Sequence, residues 1–115
     1  EIRATIIEVP GRTIEVMQPG AYGDNVIIDG PTKVINSYAG VATRVGVDEG
    51  AVYRMTKAFW ENIGELHSVA AWTRSVTRET AFMEMNVPLH AGAYRYYKEA
   101  GFDIPADLIP PEATN

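Results

Sequence analysis

The spacing of apolar residues changes once along this 115-residue chain, and that change limits the folds open to it. Up to about residue 46, apolar and polar residues alternate; from Val47-Asp48-Glu49 onward, apolar residues recur at steps of three and four. A period of two lines one face of a strand, and a period near 3.6 lines one face of a helix. The predicted class is therefore α/β, a mixed sheet of short strands in the first 45 residues followed by three helices. The expected organisation is a single domain or fragment: a strand-rich part over residues 1–46, a helical part over 47–101 and an extended tail over 102–115.

In the strand-rich part, Ile2, Ala4 and Ile6 alternate with Arg3, Thr5 and Glu8, and Ile14 and Val16 alternate with Thr13 and Glu15. Pro10-Gly11 between them is a turn signal, which predicts a hairpin. Pro19-Gly20, Tyr22-Gly23-Asp24-Asn25 and Asp29-Gly30-Pro31 mark loops around the short apolar run Val26-Ile27-Ile28. Alternation then resumes over residues 34–44.

The first helix is expected to start at Asp48, whose carboxylate can accept a hydrogen bond from a first-turn N–H, with Glu49 complementing the positive helix end. Val52, Met55, Phe59, Ile63 and Leu66 form one stripe and are the predicted buried face. Trp60 lies about 100° around the helix from that stripe, which places it at the edge of the core or in an interface, the core edge being favoured. A second helix is expected from a Ser68 cap, with Val69, Trp72, Val76 and Met83 inward, Arg74 and Arg78 on the solvent face, and an end before Pro88. A third is expected over residues 91–100, stopped by Gly101, which can adopt the left-handed conformation of a helix end. Beyond it, Phe102, Ile104, Leu108 and Ile109 would anchor a surface-wrapping tail.

Ten basic against fifteen acidic residues give a net charge of −5, which excludes nucleic acid as an expected partner, because that affinity draws on clustered Lys and Arg. The chain has no cysteine, so disulfides, thiolate catalysis and cysteine-ligated zinc are excluded. No apolar run reaches the roughly 18 residues of a membrane span. The two histidines, His67 and His90, do not have metal-ligand spacing, and Asp24, Asp29, Asp48 and Glu49 lack the dense spacing of a calcium loop. No metal or cofactor is expected. No serine lies in a Gly-x-Ser-x-Gly turn, so a catalytic triad has no local support. His90 reads as a hydrogen-bonded structural residue; the enzymatic alternative is a small hydrolase using His90 with a nearby acid.

The densest motif is PLHAGAYRYYKEAG, residues 88–101. Gly92 between Ala91 and Ala93 permits close approach of another element, the favoured reading, or of a small anion at the helix start. Ala93 and Tyr97 can share a buried face with Tyr96 or Ala100, which makes the tyrosines core packing with polar tips rather than a stacking platform.

Tyr22-Gly23 after Pro19-Gly20, residues 38–44 leading into VDEGAVYRMTKAFWENIGELHS, and NVPLHAGAYRYYKEAG together resemble the carboxyl-terminal half of the TAXI family. These are the extracytoplasmic solute receptors of tripartite ATP-independent periplasmic (TRAP) transporters. The residues that carry the family signature are Pro88, His90, Gly92, Ala93, Tyr96, Tyr97, Glu99 and Gly101, in structural roles; Ala91 stands where proline is commoner. The resemblance implies part of a type II periplasmic binding-protein fold, periplasmic location, a carboxylate or amino acid solute held between lobes, and membrane components of a TRAP transporter as partners. It implies no catalysis. Ligand contacts from this chain would come from Tyr22 and Tyr38, each an aromatic surface with a hydrogen-bonding tip. A start at Glu1 without initiator methionine or signal peptide is what an excised piece would show. Such a piece would expose apolar surface and form homodimers.

Overall fold

A computed structural model describes Val9 and residues 11–113. The strand expected around Ile2, Ala4 and Ile6, and Pro10 of its turn, lie outside the described residues. The chain forms two compact units, one up to Gly40 and one from Val41.

In the first unit, β1 (Arg12–Met17) pairs antiparallel with β2 (Thr32–Ser37). Ile14 stands opposite Ile35 and Val16 opposite Lys33. These pairs share one face, and Glu15 with Val34 share the other. The run Val26-Ile27-Ile28 lies in the loop between the strands, with Ile27 90% exposed. The alternation over residues 34–44 yields a strand only to Ser37. The ladder runs out where Arg12, the first residue of β1, pairs with Ser37, and alternation without a partner backbone does not make a strand.

The second unit opens with α1 (Glu49–Glu61), capped by Asp48, whose Oδ1 accepts from Ala51 N at 2.7 Å. The expected continuous helix breaks at Asn62. Its side-chain amide donates to the Ala58 carbonyl at 2.7 Å, and α2 (Ile63–Val69) starts afresh.

The helix expected from Ser68 is absent. Ala70 is extended, Ala71–Ser75 is a short 3-10 helix, and turns follow. Hydroxyls take the carbonyls a helix would need: Thr73 Oγ1 donates to Leu66 O (2.7 Å) or Ala70 O (2.6 Å), and Thr80 Oγ1 to Ser75 O (2.6 Å). Val69, Trp72 and Met83, expected inward, are exposed.

The third helix, α3 (Ala91–Glu99), forms as expected, and its C-terminus closes on Gly101 at φ +69°. Gly101 N donates to Lys98 O (3.2 Å) and Phe102 N to Tyr97 O (2.9 Å), with the Tyr97 and Phe102 rings 4.9 Å apart; these are the paired bonds and apolar contact of a Schellman ending.

Packing of α3 on α1 decides which face of α1 is buried. Gly92 lies against Glu49, Val52 and Tyr53, and Tyr97 and Phe102 lie against Trp60, so the two helices run in the same direction. The buried side of α1 is therefore Val52 with half-buried Tyr53, Thr56 and Trp60; Met55 and Phe59 of the expected stripe are exposed at 63% and 42%. Trp60, placed at the core edge by helical geometry, packs in the aromatic cluster with Tyr97, Phe82 and Phe102. The tail contributes more than anchors: Leu108 is 2% exposed, and its carbonyl accepts from Leu89 N at 2.9 Å.

Candidate functional site

The residues of the 88–101 motif gather where α3 meets α1. Pro88 is exposed and leads into buried Leu89. His90 then caps α3: its Nδ1 accepts from Gly92 N at 3.1 Å. Its Nε2 faces the carbonyl oxygens of Val45 (3.2 Å) and Val47 (3.1 Å). Because Nδ1 accepts and carbonyls only accept, the proton must sit on Nε2 and the imidazole is neutral. Both ring nitrogens are thereby engaged by backbone.

Gly92 is where the two helices touch most closely. A Cβ there would fall on the Glu49 carbonyl oxygen, 2.8 Å from Tyr53 N and 3.0 Å from Val52 Cβ. The backbone atoms cannot step aside, so this position needs the missing side chain.

Outside this notch, polar side chains bridge the helices. Arg95 Nη1 donates to Glu49 Oε1 at 2.6 Å, its guanidinium lies 4.2 Å over the Tyr53 ring, and Tyr53 OH donates to Glu99 Oε2 at 2.6 Å. The hydrogen bond to the Glu99 carboxylate raises the Tyr53 hydroxyl above the usual tyrosine range. All these groups are solvated, so they contribute more to register than to stability. Further in, Trp60 Nε1 donates to Tyr97 OH at 3.1 Å, and burial pushes that hydroxyl up as well. Desolvation has the same effect on half-buried Tyr96. Ala93 packs against the core cluster.

Arg78, expected on an open helix face, instead closes the other end of α3. Its Nη2 donates to Ala100 O (2.7 Å) and Gly101 O (2.9 Å), and its guanidinium lies 3.9 Å over the Phe102 ring. The sequence signal was there in part: a helix C-terminus attracts a cation. What linear spacing could not show is that an arginine over twenty positions earlier supplies it.

Two shallow grooves of about 320 and 330 Å³ flank α3. The larger is walled by Trp60, Tyr96 and Phe102, and its titratable groups are committed to the fold. His67 Nε2 is bonded to Val76 O (2.9 Å), Arg78 to α3, and hydrogen bonding from Thr77 holds the Glu79 carboxyl below the usual range. Among the described residues, no group of three metal-ligating side chains is assembled and no helix is long and apolar enough to cross a membrane.

Tyr22 and Tyr38 lie in the first unit. Tyr22 is 70% exposed on the loop between the strands, and Tyr38, just after β2, donates from its hydroxyl to Glu15 Oε1 of β1 at 3.3 Å.

The model of the NMT1-like family matches residues 2–101, a span that includes both tyrosines and ends on the glycine that terminates α3. The chain belongs to the NMT1-like family. This is a binding-protein family of the periplasmic type, typically extracytoplasmic, and membership points to a solute-binding role. No curated protein matches the chain. As an NMT1-like chain it devotes the motif at residues 88–101 to helix ends and helix contacts.

Proposed function

We propose that this chain is part of an extracytoplasmic receptor that captures a small organic anion or amino acid and presents it to the membrane components of a TRAP-type transporter, in the manner of TAXI receptors. The match to the NMT1-like family over residues 2–101 carries the reading. The reaction needed is capture and release, which calls for complementary contacts and no bond breaking. The hydrolase alternative needs a general base with a free lone pair. At His90 that lone pair is used by Gly92 N–H, which favours the receptor.

Solute contacts are assigned to Tyr22 and Tyr38. Calorimetric titration of the full-length receptor with amino acids and dicarboxylates tests this: binding without turnover is expected, weakened about three- to tenfold in Tyr22→Phe or Tyr38→Phe by loss of one hydrogen bond. Unchanged affinity in both variants removes these residues, and turnover lost in His90→Ala removes the receptor reading.

A second reading, self-association of the isolated chain, is favoured by the exposed apolar side chains Met55, Phe59, Val69 and Trp72 in the helical unit. Light scattering decides it, since a strict monomer at high concentration is incompatible with a homodimer.

A further inference from the structure

The side of α1 that turns away from Val52, Tyr53, Thr56 and Trp60 carries a pattern of its own. Ala51, Met55, Ala58 and the capping Asn62 follow one another at steps of four, three and four, the spacing that lines one helix along another. Met55, Ala58 and Asn62 are exposed, Met55 by 63%, and Phe59 beside them by 42%. Met55 and Ala58 set a large side chain next to a small one, so a second helix laid along this seam can seat its large residue over the alanine. Charge is ordered too. Arg54 and Glu61 stand exposed on the same flank of the seam, the cation near its start and the anion near its end. Glu61 Oε1 is 3.8 Å from Lys57 Nζ on its own helix, a solvated pair that holds it loosely.

We propose that α1 pairs with α1 of a second copy of this chain, antiparallel about a two-fold axis between Met55 and Ala58. Met55 then lies over Ala58 of the second copy, and Arg54 beside Glu61 of the second copy; the two-fold makes each contact twice. Charge selects the direction. In a parallel pair the flank of Arg54 and Glu61 would lie across from Val52 and Phe59, which carry no charge; in an antiparallel pair it meets itself, reversed, and opposite charges coincide. Two helices of 13 residues bury little, so the dimer belongs to the weak class below roughly 1,200 Å². The inference rests on the self-association reading and names the contact that makes it.

Sedimentation equilibrium of the 115-residue chain tests it. Arg54→Glu sets like charges together at both ends of the seam, as does Glu61→Arg, and each variant alone is expected to dimerise at least about tenfold more weakly than wild type. Mixing the two variants matches every charged pair again and is expected to restore wild-type association. Met55→Glu, which puts a charge into the seam itself, is expected to abolish association. All three positions are exposed, so circular dichroism of each variant should match wild type. Wild-type association in either charge variant, or no recovery on mixing, overturns the α1 pairing while leaving self-association through another face. A wild-type chain that stays monomeric at high concentration overturns both.

Discussion

Up to Gly40, no described residue is buried; from Val41, Val52, Thr73, Leu89, Tyr97 and Leu108 are. The first unit is not poor in apolar residues. Val16, Ile27 and Ile35 are all there, exposed at 51%, 90% and 63%. What it lacks among its described residues is a second layer, since a two-stranded ladder satisfies backbone groups but has nothing to close over its faces. The helical unit closes because three features coincide: a glycine notch that lets α3 onto α1, an aromatic cluster beyond the notch, and a tail that lays Leu108 over that cluster. Apolar content alone does not make a core; matched layers do.

That contrast can be broken most severely at the notch. Gly92→Val is expected to cost about 3 kcal/mol or more, because the new side chain meets backbone that cannot relax. In the hairpin unit Gly30→Ala has nothing within 4 Å of its added Cβ and is expected to stay within about 0.5 kcal/mol of wild type. Urea unfolding of both variants tests the pair. Next in size, Leu108→Ala should lower stability by about 2–4 kcal/mol, against less than about 0.5 kcal/mol for Ile35→Ala on the open sheet face. Similar losses at both would erase the distinction between the units.

Smaller effects sharpen the account. Arg78→Ala removes two hydrogen bonds to the end of α3 and should cost about 1 kcal/mol in thermal melts; Arg78→Lys is expected to recover little, because one ammonium cannot both bridge two carbonyls and stack on Phe102. The smallest concerns alkaline pH. Burial raises the Tyr97 hydroxyl above its unfolded value, so the native state favours the neutral form. The stabilisation is complete below the unfolded value of about 10 and is lost as pH rises through it toward the raised native value. Melting temperature should therefore fall above about pH 10, and Tyr97→Phe should flatten part of that fall.

The ends of helices were the most legible features. Asp48 and Gly101 each act through a bond to backbone within a few positions, so local sequence contains the whole interaction. The buried face of α1 was less so. Hydrophobic spacing selected Met55 and Phe59, but α3 docks where Gly92 permits, and a missing side chain leaves no mark in a count of apolar residues. Residues 68–80 did carry a warning in Ser68, Thr73, Ser75 and Thr80, whose hydroxyls compete for helix carbonyls. The apolar spacing of Val69, Trp72 and Val76 masked it. At the candidate site, the close approach at Gly92 and the packing role of the tyrosines follow from residue size and helical phase. The second partner of His90 does not, because Val45 and Val47 reach it through carbonyls that every residue possesses.

Residue-resolved amide exchange on the full chain under native conditions tests most directly whether order resides in the helical unit. Amides in the middle of α1 and α3 are predicted to exchange at least about a hundredfold more slowly than those of the β1–β2 ladder, reporting a cooperative core on one side and local opening on the other. Ladder amides as well protected as those of α3 would contradict the account.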